Sequence, residues 1–480
     1  MYHISDIRKF IRCPRYYYLS KDNHVDNISY INNDEDITLL FAKKLGITDY
    51  YLGVKNDSPL RVKDEFNNYE WFIKARFEAN GLRVKIPIIH RLKDSIDVYF
   101  TYYGLYPKDN ELDFYRLDLE VLKLNSYHIN NIFIIRLNED YIYQDEIDYE
   151  KLFIIDRYLY SKKSKASYLL NDLLKYRFNF KRVIEQMERF SLKDCKVVRK
   201  RMCKSGEICP FYHICYRDES SLDDDNILTL AACKNKYLMY KRGVRSLKDA
   251  DINLIEGSQL QYAQIMASRN HGLFYDLYPI KAFLKNLEAR PISFIDFEWD
   301  RYLIPKYKGL KALDVVCFEF ALYILDEKGE LHHQTFIGKG DCRKEFIEKL
   351  IAYLPKSGPI VAYNAYGAEV LRLKELARQF PEYVDSLNVI ISRFVDISKP
   401  FIDGLVYMTK MRGDFSLKSL VKAISNYSYD NMDIRNGMEA VNYFRNLNEF
   451  DEQHLEDLKR YCSLDAYGLY LVYDWLLKLV

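Results

Sequence analysis

From Pro291 onward, apolar and polar positions fall into short blocks of alternating period. Ile292 to Glu298 is an apolar run that closes on two acids and reads as a strand. Leu313 to Leu325 and Glu330 to Ile337 flank Asp326-Glu327-Lys328-Gly329, a turn signal that predicts a hairpin. Arg343 to Tyr353 has the spacing of an amphipathic helix, and Pro359 to Tyr363 reads as a buried strand. Ala368 to Gln379 follows as a helix and Asn388 to Val395 as a further strand; the remainder to Val480 is largely helical in pattern.

Upstream, Leu82 to Ile89 and Ile96 to Tyr102 have strand patterns within a mixed region that ends near residue 220. The acidic stretch from Arg217 to Asp225 reads as an exposed linker. Residues 226–288 look helical, with Gly243 placed to stop one helix and Ser246 with Asp249 to cap the next. The expected organisation is therefore α/β, divided into residues 1–220, a helical linker region over 221–288, and residues 289–480. A hairpin of strands followed by alternating helices and strands suits a mixed-sheet, ribonuclease-H-like fold for the last part.

Composition supports this division without adding to it. The 480 residues are 49% hydrophobic and 29% charged, which describes a globular chain long enough for two or three cores. No apolar run is long enough to span a membrane and no secretory leader pattern opens the chain, so a cytoplasmic protein with no membrane partner is expected. A net charge of +2 gives no basic excess of the kind that advertises nucleic-acid binding, so any such contact must lie in a local groove.

The candidate chemistry lies in the carboxylates. Asp296-Phe297-Glu298 on a strand puts both acids on one face of the sheet, because side chains alternate. Tyr461 and Asp465, four residues apart on a helix, share a face as well. Hard divalent ions prefer carboxylate oxygens, and phosphodiester hydrolysis by two metal ions needs several of them. A fourth acid is expected just after the next internal strand, where Glu369 opens a helix; Asp396, after a later strand, is the reserve candidate. These residues point to a nuclease in which Asp296, Glu298, Glu369 and Asp465 bind two Mg²⁺ or Mn²⁺ ions and Tyr461 orients the attacking water.

The order Asp-x-Glu, Asn364 followed shortly by an acid, then Tyr-x-x-x-Asp resembles the DnaQ-like (DEDD) 3′→5′ exonuclease superfamily. Tyr461 matches its tyrosine subclass, which includes proofreading exonuclease domains and RNase D. Glu369 departs from the superfamily pattern, lying five residues after Asn364 where an Asp at four is common. The whole chain is similar to a bacterial family that fuses a RecB-like iron–sulfur domain to such an exonuclease. That similarity rests on Tyr363-Asn364, Leu373-Lys374-Glu375-Leu376-Ala377, Ser416-Leu417-Lys418 and Asn436-Gly437, besides the acids. It implies a 3′→5′ exonuclease acting on a DNA or RNA end, with single strands as the expected substrate.

Four of the nine cysteines are grouped: Cys203, Cys209 and Cys215 close the first domain, and Cys13 stands 190 residues before them. Four thiolates suit either zinc or an iron–sulfur cluster. The one-plus-three arrangement lacks the paired Cys-x-x-Cys spacing usual for structural zinc. It resembles the iron–sulfur staple of RecB-like nucleases of the AddB and CRISPR-adaptation type, which implies a [4Fe–4S] cluster, with Zn²⁺ the alternative, in a restriction-endonuclease-type α/β domain. Cys195, Cys233, Cys317, Cys342 and Cys462 read as buried small hydrophobes. The histidines show no paired metal spacing beyond the adjacent His332-His333, which reads as a strand with opposing faces.

RecB-like nucleases need an Asp on one strand and Glu-x-Lys on the next. Here the matching strands offer Lys85, Ile86 and Pro87, then Asp97-Val98-Tyr99. Glu78 and Asp118-Leu119-Glu120 supply other acids, but no acid-x-Lys stands at a suitable place, so this domain is expected to have lost its own active site. The rival expectation for the whole chain is a catalytically weak scaffold that binds nucleic acid and keeps both folds.

Overall fold

The computed structural model describes residues 1–22, 36–108, 112–175, 179–197, 203, 209–215, 224–427, 433–434, 436–446 and 452–480. The chain forms two compact units, Met1–Arg217 with Tyr302–Asp314, and Asp218–Arg301 with Val315–Val480. Residues 217–223 of the expected acidic linker lie outside the described residues.

In the first unit, α1 (Ile4–Arg12) and α2 (Pro14–Asp22) precede an antiparallel meander of β1 (Trp71–Ala79), β2 (Leu82–Arg91) and β3 (Ile96–Thr101). The β1–β2 hairpin turns on Asn80 and Gly81, both at positive φ (48° and 79°), the conformation a two-residue hairpin loop requires. α3 (Leu112–Leu124) then carries the chain across the sheet, and β4 (Ile129–Leu137) returns parallel to β3. Parallel neighbours need such a crossover, since no tight turn can join them. A meander, a crossover helix and a parallel strand, with helices before the meander, is the arrangement of a restriction-endonuclease-type core. Phe72, Phe77, Ile86, Val98, Phe100 and Leu122 fill its interior.

In the second unit, β5 (Ile292–Arg301), β6 (Val315–Leu325) and β7 (Leu331–Ile337) form an antiparallel hairpin-and-return. α4 (Arg343–Tyr353), β8 (Ile360–Ala362), α5 (Glu369–Gln379), α6 (Val384–Ser392) and β9 (Phe394–Asp396) continue the chain. The sheet order is β7-β6-β5-β8-β9, with β8 and β9 parallel to β5 and only β6 reversed. That order and polarity define a ribonuclease-H-like sheet. α7 (Leu417–Ile424), α8 (Gly437–Arg445) and the 27-residue α9 (Glu452–Lys478) complete the unit. α9 buries Leu458, Cys462, Leu469, Val472 and Leu476, a stripe at helical spacing that packs on the sheet.

The sequence pattern and the structure part company at Asn388 to Val395. Asn388–Ser392 is the end of α6, and extended chain begins only at Phe394. Leu387 and Ile390, three apart, are the buried positions of that helix, so the β-branched run was a helical face and not a strand. The segment 226–288 is only partly helical: Lys236–Lys241, Gln259–Arg269 and Leu277–Leu284 are helices, but Leu273–Tyr275 pairs with Val406–Met408 as a small ribbon. Gly243 does follow the first of these helices at positive φ, and Ser246 Oγ accepts from the Lys248 amide. Among the described residues, no helix is long and apolar enough to cross a membrane.

Candidate active site

β5 is the central strand, and its middle is buried beneath α9. Asp296 and Glu298 project from the face that α9 covers, and α9 brings Asp465 to them. One ligand oxygen from each of the three lies within 4.8 Å of the other two. The approach is close because the residues between strand and helix are small: Ala321, Cys462 and Ala466 form their own buried contact. A β-bulge follows at Glu298/Trp299 and shifts the register, so Asp300 leaves the acidic cluster. Asp300 instead receives Arg445 of α8 through Nη2 at 2.6 Å and Nε at 3.1 Å, a buried ion pair that pins α8 to the end of β5. α8 opens beside the acids: a Cβ on Gly437 would sit 3.5 Å from Glu298 Oε2.

Three carboxylates in one place, Glu298 and Asp465 buried and Asp296 half-buried, cannot all ionise cheaply. Burial, followed by the charges of Asp465, Glu298 and Glu369, raises the pKa of Asp296 well above the carboxylate range. Glu298 is raised by burial, then by Asp465 and Glu319, with Lys418 opposing. Tyr461, 3% exposed, is held protonated by burial and by the same acids, and its hydroxyl bonds to Asp465 one turn on. Lys418 Nζ of α7 donates to the Tyr461 oxygen at 2.8 Å. Gly468 sets that distance, since a Cβ there would meet Val421 at 2.9 Å and push α7 away from α9. The resulting chain runs from Lys418 through Tyr461 to Asp465.

Glu369 opens α5 with 3% exposure, and its Oε2 makes no hydrogen bond. Burial lifts its pKa to about 8, and its charge is felt at both Asp296 and Glu298. Asp396 is engaged differently. Its Oδ1 accepts from the Asn364 amide at 2.9 Å and from the Ser398 amide and hydroxyl at 3.0 and 2.6 Å. A carboxylate so bonded ties the β8 loop to the β9 loop through Oδ1. Asn364 makes that turn at φ +54°, and its side chain lies where a Cβ on Gly367 would stand, 2.6 Å away. The extra residue before Glu369 is thus accommodated by a glycine turn.

Two groups in this site carried no assignment from the sequence. Glu319 of β6 stands directly across from Glu298, is fully buried, and neither carboxyl oxygen makes a hydrogen bond; burial lifts its pKa to about 8 against the charge of Lys459. The available signal was a single charged residue within the eleven-residue apolar strand Val315–Leu325. Lys418 stood in a quoted motif but without a role. Cys462 is buried like the other four isolated cysteines, yet its Sγ lies 3.6 Å from Asp296 Oδ2, so it packs against the acids directly.

In the first unit, Cys13, Cys203, Cys209 and Cys215 all line one cavity, together with Arg12, Arg15 and Tyr16. Cys13 caps the end of α1, its amide bonded to Lys9. The late cysteines are positioned by local turns, with the Cys209 amide bonded to the Cys203 carbonyl and the Cys215 amide to Phe211. Arg15 Nε donates to Cys215 Sγ at 3.3 Å, and burial pushes the Cys209 thiol up. The acids of the same unit are dispersed. Glu78 pairs with Arg83 at 3.1 Å, Asp97 accepts from Asn130 at 2.9 Å, and Asp118 is buried on α3.

Residues 293–416 match the model of a domain of unknown function, DUF2779. That segment begins on β5 and ends before α7, so it holds Asp296, Glu298 and Glu369 but not Tyr461 or Asp465. Nothing among the curated proteins matches. Among solved structures, the family B DNA polymerase from the hyperthermophilic archaeon Pyrobaculum calidifontis is similar at 16% identity over 39% of this chain and 24% of that chain. The TM-score is 0.27, too low for that likeness to carry an argument.

Proposed function

We propose that the second unit is a metal-dependent 3′→5′ exonuclease that hydrolyses phosphodiester bonds of DNA or RNA. The observation that carries this reading is the convergence of Asp296, Glu298 and Asp465 within 4.8 Å. Like-charged groups buried together are costly, and the usual relief is a bound cation. The donor set fits hard divalent ions, being all carboxylate, and the unbonded Oε2 of Glu369 offers one more oxygen nearby. Two Mg²⁺ or Mn²⁺ ions, when bound, would supply an activated water and neutralise charge on the departing oxygen. Asp296, Glu298 and Asp465 would hold one ion, and Asp296 with Glu369 the other. Tyr461, fixed by Lys418 and Asp465, would orient the attacking water through its hydroxyl.

The first unit is read as a RecB-like domain that keeps a [4Fe–4S] staple and lacks its own nuclease centre. Support for the staple is the meeting of all four cysteines at one cavity, with Arg12 and Arg15 there to offset thiolate charge. Support for the lost centre is that β2 and β3 carry no acid-x-Lys, and Glu78 is spent on Arg83.

The test is digestion of 5′-labelled single-stranded DNA and RNA with Mn²⁺. A ladder that chelator or Asp296→Ala abolishes supports the exonuclease. A retarded band with no ladder leaves a nucleic-acid-binding scaffold.

A further inference from the structure

The first unit contains a second cavity, of about 400 Å³, between α1, α3, the middle of β2 and the end of β3. Asp118 of α3 lines it at 7% exposure, and its Oδ1 makes no hydrogen bond. A buried acceptor without a donor costs about 1–3 kcal/mol, which a ligand bearing an N–H would recover. The surrounding surface is aromatic. Tyr102, Tyr103 and Phe114 line the cavity, and the Arg8 guanidinium lies 3.2 Å from the centre of the Phe114 ring. Tyr103 is 52% exposed, a rim residue. Gly104 lets the Tyr102 ring lie against the backbone, since a Cβ there would stand 2.7 Å from it.

The geometry points to a pocket for an unpaired nucleobase, with the exocyclic amine of the base donating to Asp118. Flat apolar walls select a flat ligand, and aromatic stacking is a general means of holding bases without sequence preference. A lone carboxyl among rings is a poor divalent-cation site, because such ions require several oxygens. A free phosphate would face the Asp118 carboxyl. Arg8, at the same cavity, suits the backbone that a base brings with it. This inference shares with the proposed exonuclease only the premise that the protein meets nucleic acid.

The test uses the full-length protein in chelator, so that no strand is cut, with two probes: a 2-aminopurine-containing pentanucleotide and 2-aminopurine riboside monophosphate. Saturable fluorescence quenching is expected. Asp118→Leu, which fits a buried site, and Tyr103→Ala at the exposed rim should each weaken it by roughly ten-fold. Asp296→Ala should leave it unchanged. Quenching by the pentanucleotide alone assigns the pocket to a base within a strand, and equal affinity for the monophosphate assigns it to free nucleotide. The pocket is refuted if both first-unit variants quench like the parent, or if only Asp296→Ala abolishes the signal. Quenching that persists while Mn²⁺ yields no ladder would overturn the exonuclease and leave the pocket standing.

Discussion

Asp296→Asn separates a latent cation site from an ordinary buried acid, because it acts oppositely on the metal-free and metal-loaded protein. Charges 4.8 Å apart repel by about 3.5 kcal/mol at an effective dielectric of 20. Without cation, the site escapes by keeping protons, at ~1.4 kcal/mol for each pH unit above the unfolded pKa. The repulsion alone sets the relief from an amide at position 296 at roughly 3 kcal/mol at pH 8. For a unit of this size that is a rise of roughly 6–12 °C in the melting temperature of the chelated protein. The parent should gain about 2.7 kcal/mol from Mn²⁺ at one hundred times its dissociation constant, and the variant almost none. Differential scanning calorimetry at pH 8, with chelator and with Mn²⁺, measures both effects on the transition that responds to metal. A variant that melts lower than the parent in chelator, or that keeps the Mn²⁺ shift, would show that the acids are not assembled for a cation.

The metal-free protein should lose stability as pH rises from 5 to 8. Glu319 and Glu369 have folded pKa values near 8, above their unfolded values, so the native state binds more protons across that window. Glu319→Gln and Glu369→Gln should each flatten the thermal profile, by up to ~5 kcal/mol at pH 8; profiles parallel to the parent's would count against those protonation states. Lys418→Met removes the donor to Tyr461 and should lower the digestion rate on the order of 10-fold to 100-fold, while a Mn²⁺ thermal shift persists. An unchanged rate would leave Lys418 a packing residue. Cys13→Ser should remove absorbance near 400 nm from anaerobically prepared protein and destabilise the first unit; a colourless parent with stoichiometric zinc would replace the cluster with a zinc site.

Local pattern determined most of the elements. Arg343–Tyr353 has the predicted bounds, and the apolar run after Pro291 is the central strand. Period two puts Asp296 and Glu298 on one face, and period 3.6 does the same for Tyr461 and Asp465, so each half of the acidic site was legible before any contact was known. Asn388–Ser392 was not, because a short run of β-branched and aliphatic residues satisfies either period until packing chooses.

Tertiary structure decided what lies opposite what. That Glu319 faces Glu298 is a matter of cross-strand register, which the pairing of β5 with β6 sets over a separation of 21 residues. That Asp396 accepts three bonds through Oδ1, while Glu369 keeps a buried Oε2 with none, depends on which carboxyl the two loop amides happen to reach. The Lys418–Tyr461 bond depends on helices packed through Gly468, and the Asp118 cavity on how four elements fail to fill the space between them. Side-chain period is a property of a few consecutive residues and can be read from them. Register, hydrogen-bond satisfaction and voids belong to pairs of elements distant in the chain, and no local stretch of sequence encodes them.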